Sequence, residues 1–436
     1  MDQIIQSFVL GLSSMVLLII LYMVGVPIAY SMAMTTLLLL VFSGVNINPR
    51  FIATRILGGM DSMILVAIPV YIFAGRLLNS RGFTNRIFDF ASELVGPIRG
   101  GLGQVNVVAS MIFAGMNGSA AADAAGLGIV EYRAMRNQGY SESMSVGVTA
   151  ASSIIGPIIP PSIIAILYAA VAQVSAGTML IAGLFPGILI GVGLMIFVLY
   201  MTRYEKTIVK KNWNAKKLVE SLKHAFFPLF APVIIVGGIL TGFFTPTEAA
   251  STAVAYVLLV SILIIREKPE TSILHELIGT IKDTGAIMLI LAMARLYSWY
   301  ILEINLPNHL AMFVDRLSIH PTMLLFIIIG FLLIIGCFME QVAALLILTP
   351  VMVPVISGLG IDLYHFGIIL IITLMIGGLT PPFGGILFIV SRVTGVPLER
   401  TVLAVLPYII PLIIVVILLA IWPQLVLFIP LYFGMM

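Results

Sequence analysis

Four oxygen-bearing side chains stand beside breaks in otherwise apolar sequence. Asn117 and Ser119 lie in GMNGS (115–119), Glu340 in GCFMEQ (336–341) and Thr380 in IGGLTPPFG (376–384). A second proline pair occurs in IGPIIPPSI (155–163), followed by Ser162. Amide, hydroxyl and carboxylate oxygens, together with main-chain carbonyls, suit a hard cation. Proline inside a helix removes a hydrogen bond and clashes with the preceding turn, at ~3 kcal/mol or more. Each break therefore frees carbonyls at one half-helix end and N–H groups at the other. The first end favours a cation and the second an anion.

The surroundings place these groups in a membrane. The 436 residues are 61% hydrophobic and 9% charged, against about 25% charged in soluble domains. Net charge is only +3, which gives no reason to expect nucleic acid. A single cysteine, Cys337, excludes an internal disulfide and a cysteine-cluster metal site. There is no G-x-x-x-x-G-K-[ST] loop, so the chain carries no P-loop ATPase motif. Met1–Pro27 lacks a basic leader region and is long enough to span, so no cleavable signal peptide is expected. An intramembrane enzyme would need a catalytic set, and the five histidines all fall near expected interfaces.

A helix needs ~20 apolar residues to cross a bilayer. Expected spans are 3–24, 27–45, 60–80, 177–201, 224–243, 247–265, 283–303 and 400–430. The basic stretch Thr202–His224, with Arg203, Lys206, Lys210, Lys211, Lys216, Lys217 and Lys223, belongs in the cytoplasm. Both termini are then outside. Of 22 basic residues, Arg50, Arg55 and Arg316 lie outside and Arg295 in a span, leaving 22 − 3 − 1 = 18 inside. Arg99, Arg133 and Arg136 share one side, so 99–137 enters and returns. It reads as a re-entrant hairpin with its tip at Gly115–Ser119, the alternative being two thin full spans.

Shifting the sequence by 221 positions aligns Gly115 with Gly336, Gly156 with Gly377, and Pro160–Pro161 with Pro381–Pro382. Co-register glycine and proline mark backbone needs, not general greasiness. A second hairpin, 320–357, then enters from the opposite side. Helix 141–172 breaks at Gly156–Pro161, and helix 362–394 at Gly377–Pro382. Amphipathic arms, 83–96 and 307–318, precede the hairpins. The expected fold is an all-α polytopic membrane protein of two inverted repeats, each with a re-entrant hairpin and a broken helix. Such repeats place binding at the midplane, where discontinuous helices meet, and irregular backbone at that depth must be buried or line a cavity. Simple proline kinking is the alternative for the breaks.

GMNGSAAADAAGLG, GPIIPPSI, FTPTEAA, GIDLYHFG and LTPPFG together resemble the large membrane subunit of tripartite ATP-independent periplasmic (TRAP) transporters, over nearly the whole chain. The resemblance implies an elevator mechanism driven by sodium ions, two or more per cycle. It implies two partners, a small four-helix membrane subunit as a separate chain and a periplasmic substrate-binding protein. It also implies uptake of an organic acid, sialic acid or a four-carbon dicarboxylate, across the bacterial inner membrane. A stand-alone symporter without a binding protein is the alternative. The chain divides into scaffold helices with the first arm (1–98), a first transport repeat (99–201), a loop with scaffold and second arm (202–319), and a second repeat (320–436).

On this basis one sodium site takes Asn117, Ser119, Thr149 and Ser153 with the backbone at Gly115 and Gly156. Thr149 and Ser153 have an alternative use, bonding back to helix carbonyls. The mirror site takes Glu340 and Thr380 with Gly336 and Gly377. A mid-membrane carboxylate is a functional candidate by default, although Glu340 has protonation or structural pairing as alternatives. The anion is expected between Asn117, Gly118, Ser119, Pro161, Ser162, Thr380, Pro381, Pro382 and Gly384. Asp123 is assigned to supporting the tip, with direct ligation as the other option. Arg295 is expected to meet a local partner such as Glu303, or the small subunit. Thr245-Pro-Thr-Glu248 matches a structural capping box.

Overall fold

The computed structural model describes residues 2–42, 48–203, 212–265, 271–316 and 319–436, which are helical with no strand among them. Lys206, Lys210, Lys211, Arg266 and Lys268, counted in the charge asymmetry, lie outside the described residues. Among the described residues, nine helices are long and apolar enough to cross a membrane.

Several helices overrun the apolar windows because polar caps extend them. The span expected at 224–243 is Ala215–Leu240, where the Lys216 and Lys217 N–H groups donate to Asn214 Oδ1 at 3.1 and 3.2 Å. The span expected at 283–303 is Ile273–Glu303, begun by Ser272, whose Oγ accepts from the His275 N–H. The C-terminal span divides into Leu398–Ile421 and Gln424–Tyr432 on either side of Pro423, which has no N–H to continue a helix. Ile28–Phe42 ends before the expected boundary, and 43–45 lie outside the described residues. The capping box forms: the Thr245 N–H donates to Glu248 Oε2 at 2.8 Å, and the Glu248 N–H returns to Thr245 Oγ1. A short helix, Pro49–Gly58, was not expected.

Both hairpins and both broken helices form. The first hairpin is Leu102–Asn117, a turn at Gly118, then Ala120–Ala125 and Leu127–Asn137. Its first arm has 16 residues, about 24 Å, short of the ~30 Å hydrocarbon core. The second is Pro321–Phe338 and Gln341–Gly358. The broken helices are Glu142–Ser153 with Ile163–Ala172, and Leu363–Gly377 with Gly385–Thr394. Both Pro160–Pro161 and Pro381–Pro382 bonds are cis.

The packing obeys the 221-residue register. Leu102–Asn117 packs on Glu142–Ser153, and Pro321–Phe338 packs on Leu363–Gly377. Two further contacts cross between repeats: Ala120–Ala125 packs on Gly385–Thr394, and Gln341–Gly358 packs on Ile163–Ala172. Each is the image of the other to within one residue, since 341 − 120 = 221 and 385 − 163 = 222. This exchange sets each return arm against the resumed half-helix of the other repeat. Leu184–Met201 and Leu398–Ile421 pack together. Elsewhere Met63–Ser80 packs on Pro246–Val260, and Ile273–Glu303 on Ile28–Phe42. The first arm, Phe83–Val95, buries Phe83, Ile87, Ala91 and Val95 and packs against Ala215–Leu240. The second, Leu306–Arg316, packs against Gln341–Gly358, and residues 317–318 of the expected arm lie outside the described ones.

Candidate ion and substrate site

The first tip touches the first break. Gly118 sits at φ 64°, and a Cβ there would fall 2.2 Å from the Pro161 carbonyl oxygen, so only glycine fits. A Cβ at Gly156 would lie 3.2 Å from the Ser119 carbonyl. Asn117 Oδ1 accepts the Ser119 N–H at 2.7 Å, and Ser119 Oγ accepts the Ala122 N–H at 3.4 Å, starting the return arm. Asn117 Nδ2 is buried without a partner. Pro161 and Ser162 are fully buried. Ser162 Oγ accepts the Ala165 N–H and donates to the Pro157 carbonyl, so it serves as a cap. Gly115 packs chiefly on Pro232 of Ala215–Leu240, where a Cβ would fall 2.8 Å away, and lies next to the break, the same Cβ being 3.9 Å from the Pro160 carbonyl oxygen.

Thr149 and Ser153 do not reach the tip with their hydroxyls. Asn106 Nδ2 donates to Thr149 Oγ1 at 2.8 Å, and Ser152 Oγ donates to Asn106 Oδ1 at 2.7 Å. Ser110 donates to Ser152 and also bonds the Asp123 carboxyl. Ser153 Oγ bonds back to the Ala150 carbonyl at 2.8 Å. Thr149 and Asp123 therefore belong to a buried polar network that ties both hairpin arms to the half-helix. Asn106, Ser110 and Ser152 were missed; the available signal was Asn106 and Ser110 four residues apart, on one face of an apolar arm.

At the second tip the backbones themselves meet. A Cβ on Gly377 would fall 2.5 Å from Gly336 Cα. The Phe383 N–H donates to the Cys337 carbonyl at 3.0 Å. Thr380 Oγ1 donates to the Gly377 carbonyl at 2.7 Å and lies 2.7 Å from Cys337 Sγ. Glu340 Oε2 accepts the Ala343 N–H at 2.9 Å, so the carboxylate caps the return arm. Gly384 is buried at the start of the resumed helix, while Pro381 and Pro382 are exposed. Gln341, also missed, lies against Gly378 with its Nε2 buried and unpartnered. Each tip thus presents one primary amide with free N–H donors, Asn117 in the first and Gln341 in the second. Buried donors of this kind cost free energy until a partner arrives.

A cavity of about 1010 Å³ opens from Asn117 and Ser119 along the first hairpin to Asn79, Arg76 and Arg133. Arg76 on its far wall pairs with Asp283 at 2.7 Å and Glu276 at 3.4 Å. Arg295 does not pair with Glu303; its Nη2 donates to the Ala170 carbonyl at 3.2 Å, at the end of the first broken helix.

The model of the tripartite ATP-independent periplasmic transporter DctM component matches residues 15–425. The chain is 40% identical to the sialic acid TRAP transporter large permease protein SiaM of Vibrio cholerae, over 93% of this chain and 95% of that protein. It is 36% identical to the C4-dicarboxylate TRAP transporter large permease protein DctM of Pseudomonas aeruginosa, over 88% and 90% of the two chains. The fold is similar to that of the Alcanivorax borkumensis YdaH transporter, with TM-score 0.61, 14% identity and coverage of 86% and 88%. A multi-pass all-α chain with two hairpins meeting two broken helices, matched by this model over nearly its whole length, is a transport protein and not an enzyme, and it belongs to the DctM component family of the TRAP transporters.

Proposed function

We propose that this chain carries an organic acid into the cell across the bacterial inner membrane, coupled to sodium, by an elevator movement of the two repeats. The carrying observation is the pair of unpartnered amides, Asn117 and Gln341, at mirror-related tips whose return arms each pack on the resumed half-helix of the other repeat. Free N–H donors at helix breaks suit a carboxylate. Sialic acid is the favoured substrate, by likeness to a sialic acid permease at 40% identity, with four-carbon dicarboxylates next, by likeness to a C4-dicarboxylate permease at 36%.

The residues fit sodium at the second tip. The Gly377 carbonyl and the Thr380 hydroxyl already meet there, with Cys337 Sγ beside that hydroxyl, and the Gly336–Gly377 approach leaves no room for a side chain. At the first tip the donor set is Asn117, Ser119 and the main chain at Gly156. Carbonyl and hydroxyl oxygens suit a small hard cation. Moving an uncompensated carboxylate through hydrocarbon is costly, so bound sodium lets the anion cross with the hairpins. Hairpins, broken helices, Leu184–Met201 and Leu398–Ile421 form the moving part, and the other spans the scaffold. The positive-inside asymmetry puts both termini in the periplasm and the cavity mouth in the cytoplasm. The partners are a separate small four-helix membrane subunit and a periplasmic substrate-binding protein, as the family's tripartite character suggests.

The test is uptake in proteoliposomes containing this chain, the small subunit and a panel of binding proteins. Sodium-dependent accumulation of labelled sialic acid or succinate, lost without the binding protein, is expected. Equal uptake in sodium and choline overturns the coupling; full uptake by the chain alone overturns the tripartite assembly.

A further inference from the structure

We propose that Arg133 draws the substrate anion through the cytoplasmic vestibule after it leaves the tip. This rests on the transport function above. The return arm of the first hairpin forms one wall of the cavity, with Ala122, Ala125, Gly126, Ile129 and Arg133 following one another from tip to mouth. They come from two short helices, Ala120–Ala125 and Leu127–Asn137, joined at Gly126. The lining is small at Ala122, Ala125 and Gly126 and apolar at Ile129, before the single charge at Arg133. At Gly126 a Cβ would fall 2.8 Å from Asn79 Oδ1 on the opposite wall, so the passage needs glycine there.

The charges on the two walls differ. Opposite the arm, Arg76 is committed to Asp283 and Glu276, and Thr271 also bonds Glu276. One cation against two carboxylates leaves that wall net negative. Arg133 is exposed and makes no ion pair among the described residues. It is the uncompensated positive group on the cavity wall. Arg133 stands two helical segments beyond the tip: past Ala120–Ala125, and then about 9 Å along Leu127–Asn137 from its start. Arg133 therefore acts on an anion in transit and governs rate, while the tip amides govern affinity. Attraction across water is screened by salt, and such steering changes rates by about tenfold or more.

The experiment measures initial uptake of labelled sialic acid, and of succinate as second probe, in the reconstituted full complex. Arg133→Gln lowers the rate about tenfold, Arg133→Glu lowers it further and Arg133→Lys keeps most of it. The sodium concentration for half-maximal uptake is unchanged in all three. Raising the internal potassium chloride concentration slows the wild type and leaves Arg133→Gln unaffected. A wild-type rate in Arg133→Gln, or a wild-type rate indifferent to internal salt, overturns the proposal; the salt arm decides it even if a variant fails to fold. Absence of uptake of either acid by the wild type overturns the transport function instead.

Discussion

Gly336 and Gly377, from opposite sides of the second tip–break pocket, touch through their main chains: a Cβ on Gly377 would lie 2.5 Å from Gly336 Cα and 2.7 Å from its carbonyl carbon. The obstacle is backbone, so no rotamer change relieves it. Gly377→Ala must push the hairpin off the broken helix, at ~1–3 kcal/mol for an overpacked core. Insertion and expression are expected to be normal, with sodium-dependent uptake reduced at least tenfold. An alanine variant with wild-type uptake shows that the close approach is dispensable.

Gly156 makes the equivalent contact in the first repeat, where an added Cβ would sit 3.2 Å from the Ser119 carbonyl. That gap tolerates alanine with a small adjustment but not a branched side chain. Gly156→Leu is expected to abolish transport while the protein remains membrane-inserted and monodisperse, measured by uptake alongside size-exclusion chromatography. Gly156→Ala should keep a substantial fraction of activity, a contrast that generic destabilisation does not produce.

The oxygen ligands and the amide donors should separate in their effects. Thr380→Ala removes a hydroxyl that already bridges to the Gly377 carbonyl, and Asn117→Ala removes the side chain that orders Ser119. Both should raise the sodium concentration for half-maximal uptake. Gln341→Ala should instead weaken binding of the organic acid alone, and Asn117→Ala, which also removes a free amide donor, should weaken both. Losing a hydrogen bond to a charged group is worth ~1.5–3 kcal/mol, or about tenfold to a hundredfold in apparent affinity. If Thr380→Ala and Asn117→Ala both leave sodium dependence untouched, the pocket assignment is wrong.

Arg76 links Met63–Ser80 to Ile273–Glu303 through Glu276 and Asp283. Asp283 is half exposed, so that contact contributes little; Glu276 is nearly buried and would be left facing only Thr271. Arg76→Gln should lower the thermal midpoint in detergent by a few degrees, corresponding to about 1 kcal/mol. Asp283→Asn should change it less. The reverse order would place the main interaction at the wrong carboxylate.

Much of this arrangement is legible in the sequence because glycine and proline report backbone geometry directly. The breaks at Gly156–Pro161 and Gly377–Pro382, and their pairing with the two tips, follow from co-register residues. Helix ends are less legible. Asn214 and Ser272 carry helices into polar sequence that hydropathy assigns to loops. The destination of a hydroxyl depends on helix rotation, which spacing alone does not fix. Thr149 turns to Asn106, Ser153 to its own helix, and Ser162 is consumed as a cap. The free donors of Asn117 and Gln341 emerge only when every neighbour is placed.

Cys337, the chain's single cysteine, gives the most direct measurement. Its half-buried Sγ lies 2.7 Å from Thr380 Oγ1, inside the second pocket. Alkylation of the purified protein by a maleimide, followed by mass spectrometry, reads occupancy of that pocket without any transport assay. Sodium should slow the reaction several-fold relative to choline or potassium, with the protection lost in Thr380→Ala. Equal alkylation rates in sodium and choline would contradict a sodium ion held where the second hairpin meets its broken helix.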